Sequence, residues 1–397
     1  MSSLFPWNKK AAIPTRTSYE SKGTQGLRST DFALRLLANL NPGQGNLVLS
    51  PYSARLVLAL LWTGCEGETR QEMTRTLGLD GNPDERSNHY ERLGKPLGFQ
   101  LETERRNLQM HTANALWCDQ GFIPRPEYAK AAKDDYLAEI QALDFAVESS
   151  AEKINDWTNK KTWGCIPGII DPETLRSSSP LLALNAVYFK GLWEDPFKEG
   201  LTREEEFTLP GGTKKLVPLM RQSGEFAYTE RGGAQIVQLP YQGKMRMCVI
   251  LPPNETPIDR FCAEMRTTLG TSWSRKLEQR EGHLRLPRFR LDTRADLTPA
   301  LRALGIVRAF DAEQAEFDGI SNQEPLFLRS VLQRGYIDVN EKGTEAAAIT
   351  EVLCCLGEVA PPPPPFRMIV NRPFVFAICD EWTGAIVFLG VVVDPAP

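Results

Sequence analysis

Histidine is nearly absent from this chain: His89, His111 and His283 are the only three in 397 residues. None has a Glu, His or Cys at metal-ligand spacing, so the sequence points to no metal centre. A G-x-S-x-G elbow, a phosphate-cradling glycine loop and a dinucleotide fingerprint are also missing. These gaps leave an enzyme no nucleophile–base pair and no cofactor to work with.

A net positive charge is lacking too. The balance is -4, which excludes a broad electrostatic footprint for nucleic acid. The short basic cluster Arg285, Arg288 and Arg290 reads as one solvated strand face. No uninterrupted apolar run approaches the roughly 20 residues that cross a bilayer. The first residues, MSSLFPWNKKAAIP, carry Lys and Pro where a signal peptide needs an apolar stretch. The eight cysteines show no C-x-x-C spacing, so neither a zinc site nor a disulfide framework is indicated. A cytoplasmic monomer with reduced thiols is the expectation.

What is present is organised. Residues 1–26 read as a polar, irregular extension, and residues 27–397 as one domain. From Thr30 the run DFALRLLANL has helical spacing and stops at Asn41-Pro42-Gly43. NLVLSPYS reads as a buried strand entering a helix, with Ser50 as N-cap and Pro51 first in the helix. ARLVLALLWTG is apolar nearly all round and should be buried. LLALNAVYFKGLW and AQIVQLPYQGKMRMCVILPP read as strands or hairpins. DLTPALRALGI is an amphipathic helix with Leu297, Leu301 and Leu304 on one side. The tail FVFAICDEWTGAIVFLGVVV is a hairpin turning near Trp382-Thr383-Gly384. Helices early and many long strands late give an α+β fold.

The segment Asp338–Ala360 behaves differently. Taken as a strand, one face carries Thr344, Ala346, Ala348, Thr350, Val352 and Cys354, all small and uncharged. The other carries Glu345, Ala347, Ile349, Glu351, Leu353 and Cys355, including both charges. That is a strand with one buried and one wet face. Yet it starts at a glycine and runs into Pro361–Pro365, which cannot donate ladder hydrogen bonds. Five residues of polyproline II span about 15 Å and hold the segment off the body. It is built both to be exposed and to become a strand.

EKGTEAAA resembles the hinge of serpins, and further landmarks follow in family order. These are NLVLSPYS, INDWTNKKTWGCI (similar to the helix over the main sheet), LNAVYFKGLWEDPF, LRLPRFRL, DLTPALRALGI, AFDAEQAEFDGIS and the closing NRPFVFAICDEWTGAIVFLGVVVDP. The resemblance implies a serpin fold: a large central mixed β-sheet, further sheets, surrounding helices and an exposed reactive-centre loop at about 341–366. It implies suicide inhibition of a serine protease, which cleaves the loop and is trapped as an acyl-enzyme while the loop inserts into the sheet. The partner is then the target protease, held covalently.

By the same resemblance the hinge is Glu341, Lys342, Gly343, Thr344, Glu345, Ala346, Ala347 and Ala348. Ser50, Ser53 and Asn185 fall in a polar shutter that gates sheet opening, with Gln333 where the family often has histidine. Trp193 matches the breach, where insertion begins. The scissile bond falls among Leu356, Gly357, Glu358 and Val359, upstream of the prolines. Leu356 suits a chymotrypsin-like protease, Gly357 or Val359 an elastase- or subtilisin-like one, and Glu358 a glutamate-specific one. No Arg or Lys lies between Lys342 and Arg367, which disfavours trypsin-like targets. The alternatives are a non-inhibitory serpin, acting in binding or as a chaperone, and an inhibitor of a cysteine protease. The adjacent Cys354 and Cys355 read as small insertable residues, with redox control as the sharper alternative.

Overall fold

A computed structural model describes residues 16–40, 45–79, 108–136, 138–176, 181–274, 277–321, 326–343, 364–381 and 384–395, with backbone alone for 16–26 and 111–113. Within these, α1 is Arg16–Ala38, β1 Leu47–Leu49, α2 Pro51–Thr63, α3 Gly67–Leu77, β2 Leu108–Asp119, α4 Pro126–Tyr136, β3 Glu139–Leu143 and α5 Glu148–Lys161. Next come α6 Pro172–Arg176, β4 Leu181–Gly191, β5 Arg203–Thr208, β6 Lys214–Arg231, β7 Ala234–Tyr241, β8 Met245–Leu251 and α7 Ile258–Leu269. The chain closes with β9 Glu278–Pro287, β10 Phe289–Asp296, α8 Thr298–Ala303, β11 Leu328–Val339, β12 Phe366–Ile369, β13 Phe374–Asp380 and β14 Ile386–Val392.

Two sheets result. The larger runs β1-β14-β13-β8-β7-β6-β9-β12, with β5 on β6; the other runs β10-β11-β4-β2-β3. This second sheet is mixed: β10/β11 and β4/β2 are antiparallel, whereas β11/β4 and β2/β3 are parallel. The expected α+β architecture with a mixed sheet and surrounding helices is the one observed.

The local reasons are legible. Ser50 is extended (φ -113°, ψ 95°) and its Oγ accepts from the Ser53 amide at 3.1 Å, so it caps α2, and Pro51 fits where no amide is needed. Every residue from Pro51 to Trp62 is buried, because α2 packs against β14, β4 and β2 at once. A cavity there, such as Leu58→Ala, costs ~2–5 kcal/mol. Leu297 and Leu301 are fully buried beside α8, with Leu304 partly so. α5 lies on the five-stranded sheet: Trp157 meets Trp117 edge-on at 5.6 Å, and Ile154 packs with Leu182, Leu184 and Leu332.

Two expectations need correction. The stretch read as irregular is helical from Arg16 onward; once the apolar turn after Thr30 is nucleated, adding polar turns upstream costs little. Arg285, Arg288 and Arg290 do not share one solvated face. The chain crosses between sheets at 287–289, so Arg285 pairs with Glu205 at 2.6 Å, Arg288 with Glu341, and Arg290 lies over the Tyr336 ring. Glu341 and Phe366, at the two ends of the expected loop, are 2% and 3% exposed, and residues 344–363 lie outside the described residues. Phe366 stacks on Tyr228 at 3.8 Å, and Arg280 Nη2 donates to the Pro364 carbonyl at 2.8 Å.

Candidate functional site

The expected root of the loop, residues 340–343, is built from β11, the end of β4 and one buried charge. Past β11 the chain reverses, with amide–carbonyl bonds between Asn340 and Gly343 at 3.1 and 3.2 Å. Gly343 forms antiparallel bridges to both Asn340 and Leu192, and the Trp193 amide donates to the Lys342 carbonyl at 3.2 Å. Gly343 has φ +111°, and a Cβ there would stand 2.4 Å from Trp193 N and 2.6 Å from Gly191 O. Both the backbone angle and the space demand glycine.

Trp193 fixes this corner. It is 1% exposed, its Nε1 donates to the Asn340 carbonyl at 3.0 Å, and its ring stacks on Tyr241 at 4.3 Å. Glu341 is the anchor. Its carboxylate accepts from Arg288 Nε at 2.7 and 2.8 Å, from Arg288 Nη2 at 2.5 Å and from Thr202 Oγ1 at 2.5 Å. Burial opposes ionisation of Glu341, but the hydrogen bonds from Arg288 and Thr202 outweigh it and hold the carboxyl below the ordinary glutamate range. The Lys342–Glu199 pair at 3.5 Å is half-exposed and adds little.

Below the root lies the β4–β11 seam. Its parallel ladder runs from Leu328↔Leu181 to Tyr336↔Tyr188. In the middle, Gln333 sits opposite Asn185. Gln333 Nε2 donates to Asn185 Oδ1 at 2.5 Å and to the Ser50 carbonyl at 3.1 Å, while its Oε1 accepts from the Ser50 amide at 2.7 Å. Asn185 Nδ2 donates to Ser53 Oγ and to Asn114 Oδ1, the latter at 2.6 Å. All five residues are at most 5% exposed. A buried polar cluster this complete is stable only while every member is paired, so parting the two strands must break it or supply a substitute.

Ser50, Ser53, Asn185 and Gln333 thus converge, with Trp193 at the upper corner. Asn114 was missed by sequence reasoning. Its signal is an amide within the apolar stretch ANALW of β2. Glu341, Lys342 and Gly343 are placed as above. Thr344, Glu345, Ala346, Ala347 and Ala348 lie outside the described residues, as do Leu356, Gly357, Glu358, Val359, Cys354 and Cys355.

The family model Serpin (serine protease inhibitor) matches residues 27–395. An uncharacterized serpin-like protein of Thermococcus kodakarensis is 32% identical over 366 residues, 92% of this chain and 84% of its own length. The leukocyte elastase inhibitor of Sus scrofa is 30% identical over 380 residues, 92% and 98% of the two chains. Among solved structures, human thyroxine-binding globulin complexed with thyroxine superposes with a TM-score of 0.81 at 26% identity, covering 95% of this chain and 100% of that one.

Proposed function

From the premise that this chain belongs to the serpin family of serine protease inhibitors, we propose that it is an inhibitor that acts once, by loop cleavage, acyl-enzyme trapping and insertion of the loop as a new strand between β4 and β11. An elastase inhibitor and a thyroxine-binding globulin are both similar to it, so the fold alone does not choose between inhibition and binding. The loop root favours inhibition.

One observation carries this reading: Gly343 is bridged antiparallel to Leu192 and to Asn340 at the head of the seam. Continuing that register, each residue along the loop meets one residue lower on each strand. Thr344 comes opposite Gly191, Ala346 opposite Phe189, Ala348 opposite Val187 and Thr350 opposite Asn185. Counted from Asn340, Thr350 also comes opposite Gln333, so both strands give the same placement. Phe189, Val187, Ala183 and Leu181 belong to the main core, whereas Leu182 and Leu184 lie beneath α5. The small, uncharged loop face therefore turns to the core. A hydroxyl at Thr350 would arrive where Gln333 and Asn185 lose each other, donating to one and accepting from the other.

The scissile bond belongs among Leu356, Gly357, Glu358 and Val359, and the target among chymotrypsin-, elastase- or subtilisin-like proteases. The protein works as a monomer. Its free thiols, including the half-buried Cys165, support a reducing, cytoplasmic setting. No helix among the described residues is long and apolar enough to cross a membrane.

The test is incubation with subtilisin, chymotrypsin, elastase and trypsin, followed by denaturing gels and intact mass of the released peptide. A denaturant-stable complex with one of the first three, and none with trypsin, supports the proposal. Cleavage without a complex in every case moves the protein to the non-inhibitory serpins.

A further inference from the structure

The upper end of the seam carries an aromatic pair that the insertion mechanism must break. Tyr188 and Tyr336 are partners in the last rung of the β4–β11 ladder. Their rings stack with centroids 6.0 Å apart at 28°, and Arg290 of β10 lies 5.2 Å over the Tyr336 ring. The next cross-connection is the Gly343–Leu192 bridge, so the stack stands where the closed seam meets the open notch.

The strap following α5 crosses the same spot. Ile166 is fully buried and clusters with Ala186 of β4 and Tyr336 of β11, straddling the seam. Two ties hold the strap down. Asn155 of α5 accepts from the Ile169 amide at 2.8 Å and donates to the Ile170 carbonyl at 2.8 Å. Arg334 of β11 donates to the Gly168 carbonyl and, through Nη2, to Asp292 of β10 at 2.7 Å.

We propose that the Tyr188–Tyr336 stack, covered by Ile166, is a clasp that holds the seam shut and sets how fast a strand can enter. The two tyrosines are positioning residues, and their role rests on the insertion reading above. With a strand between β4 and β11 the rings stand two strand spacings apart, roughly 9.5 Å, outside the ~4.5–7 Å range of aromatic contact. The stack therefore stabilises only the closed seam. A merely structural pair would stabilise closed and inserted forms alike.

The experiment is a double-mutant cycle of Tyr188→Leu and Tyr336→Leu in the full chain, which keeps apolar bulk at both positions. Unfolding is followed for the intact protein and for protein nicked in the loop. Coupling between the two sites is expected in the intact protein and not in the nicked one. A synthetic peptide of residues 344–354 should anneal to either variant roughly 2- to 10-fold faster than to the parent, the range such a pair is worth. No coupling in the intact protein, equal coupling in both forms, or unchanged annealing overturns the clasp. If nicking the parent brings no gain in thermal stability, insertion itself fails and the clasp falls with it. If nicking stabilises the parent but the tyrosine variants behave as the parent does, only the clasp is lost.

Discussion

Gln333 and Asn185 face each other across the β4–β11 seam, joined side chain to side chain at 2.5 Å. They are the centre of a polar cluster that spans the two strands. Gln333→Leu would leave the Ser50 amide and the Asn185 carbonyl oxygen buried without their partner. Each such orphan costs ~1–3 kcal/mol. The intact protein should lose about 2–6 kcal/mol in urea unfolding and should aggregate sooner on warming. Unchanged stability would show that the cluster does not hold the seam.

Glu341 should give the intact form a pH-dependent stability. Its folded pKa is depressed, so its stabilisation is present above the unfolded value near 4.3 and is lost as pH falls through the folded value. Glu341→Gln should cost about 2–3 kcal/mol at neutral pH, below the ~3–5 kcal/mol of a fully buried pair because Arg288 stays partly in water. The variant should show a weaker fall in stability between about pH 5 and the folded pKa. An acid limb identical to the parent's assigns that titration elsewhere.

Thr344→Arg should convert an inhibitor into a substrate. The position opposite is Gly191, where even a Cβ would stand 2.9 Å from the Phe189 and Tyr241 rings. A guanidinium cannot enter such a corner without desolvation it has no partner to offset. The protease should cleave this variant and leave as free enzyme on a denaturing gel. Normal complex formation would contradict the insertion register.

Glu351 is the residue that fits its expected place worst. The register sets it opposite Leu184 and Leu332, both in the apolar cluster beneath α5, where a carboxylate has no ready partner. Glu351→Val should therefore leave the intact protein unchanged and raise the unfolding temperature of the cleaved form by a few degrees, for about 1–3 kcal/mol of relieved desolvation. Calorimetry on both forms decides it. A lower unfolding temperature for the cleaved variant would mean that Glu351 finds a partner on insertion.

Local signals in the sequence were strong where chemistry is local. Ser50-Pro51 announces the start of α2, and the apolar run after it announces burial. Long-range pairings left weaker traces. Asn114 joins the polar cluster only because β2 lies antiparallel to β4 with Asn114 opposite Asn185, a register that an isolated apolar stretch does not encode. The Arg288–Glu341 anchor links residues 53 apart across the crossing between sheets, and alternation within one strand could not find it. The Tyr188–Tyr336 stack joins two strands that each read as ordinary aromatic-rich segments.

The central claim is that the loop becomes a strand between β4 and β11, and thermal unfolding of loop-cleaved against intact protein tests it most directly. A strand that fills the seam completes a ladder on both sides and should raise the midpoint by on the order of 10 °C or more. Equal midpoints, with cleavage confirmed by mass within Leu356–Val359, would contradict it.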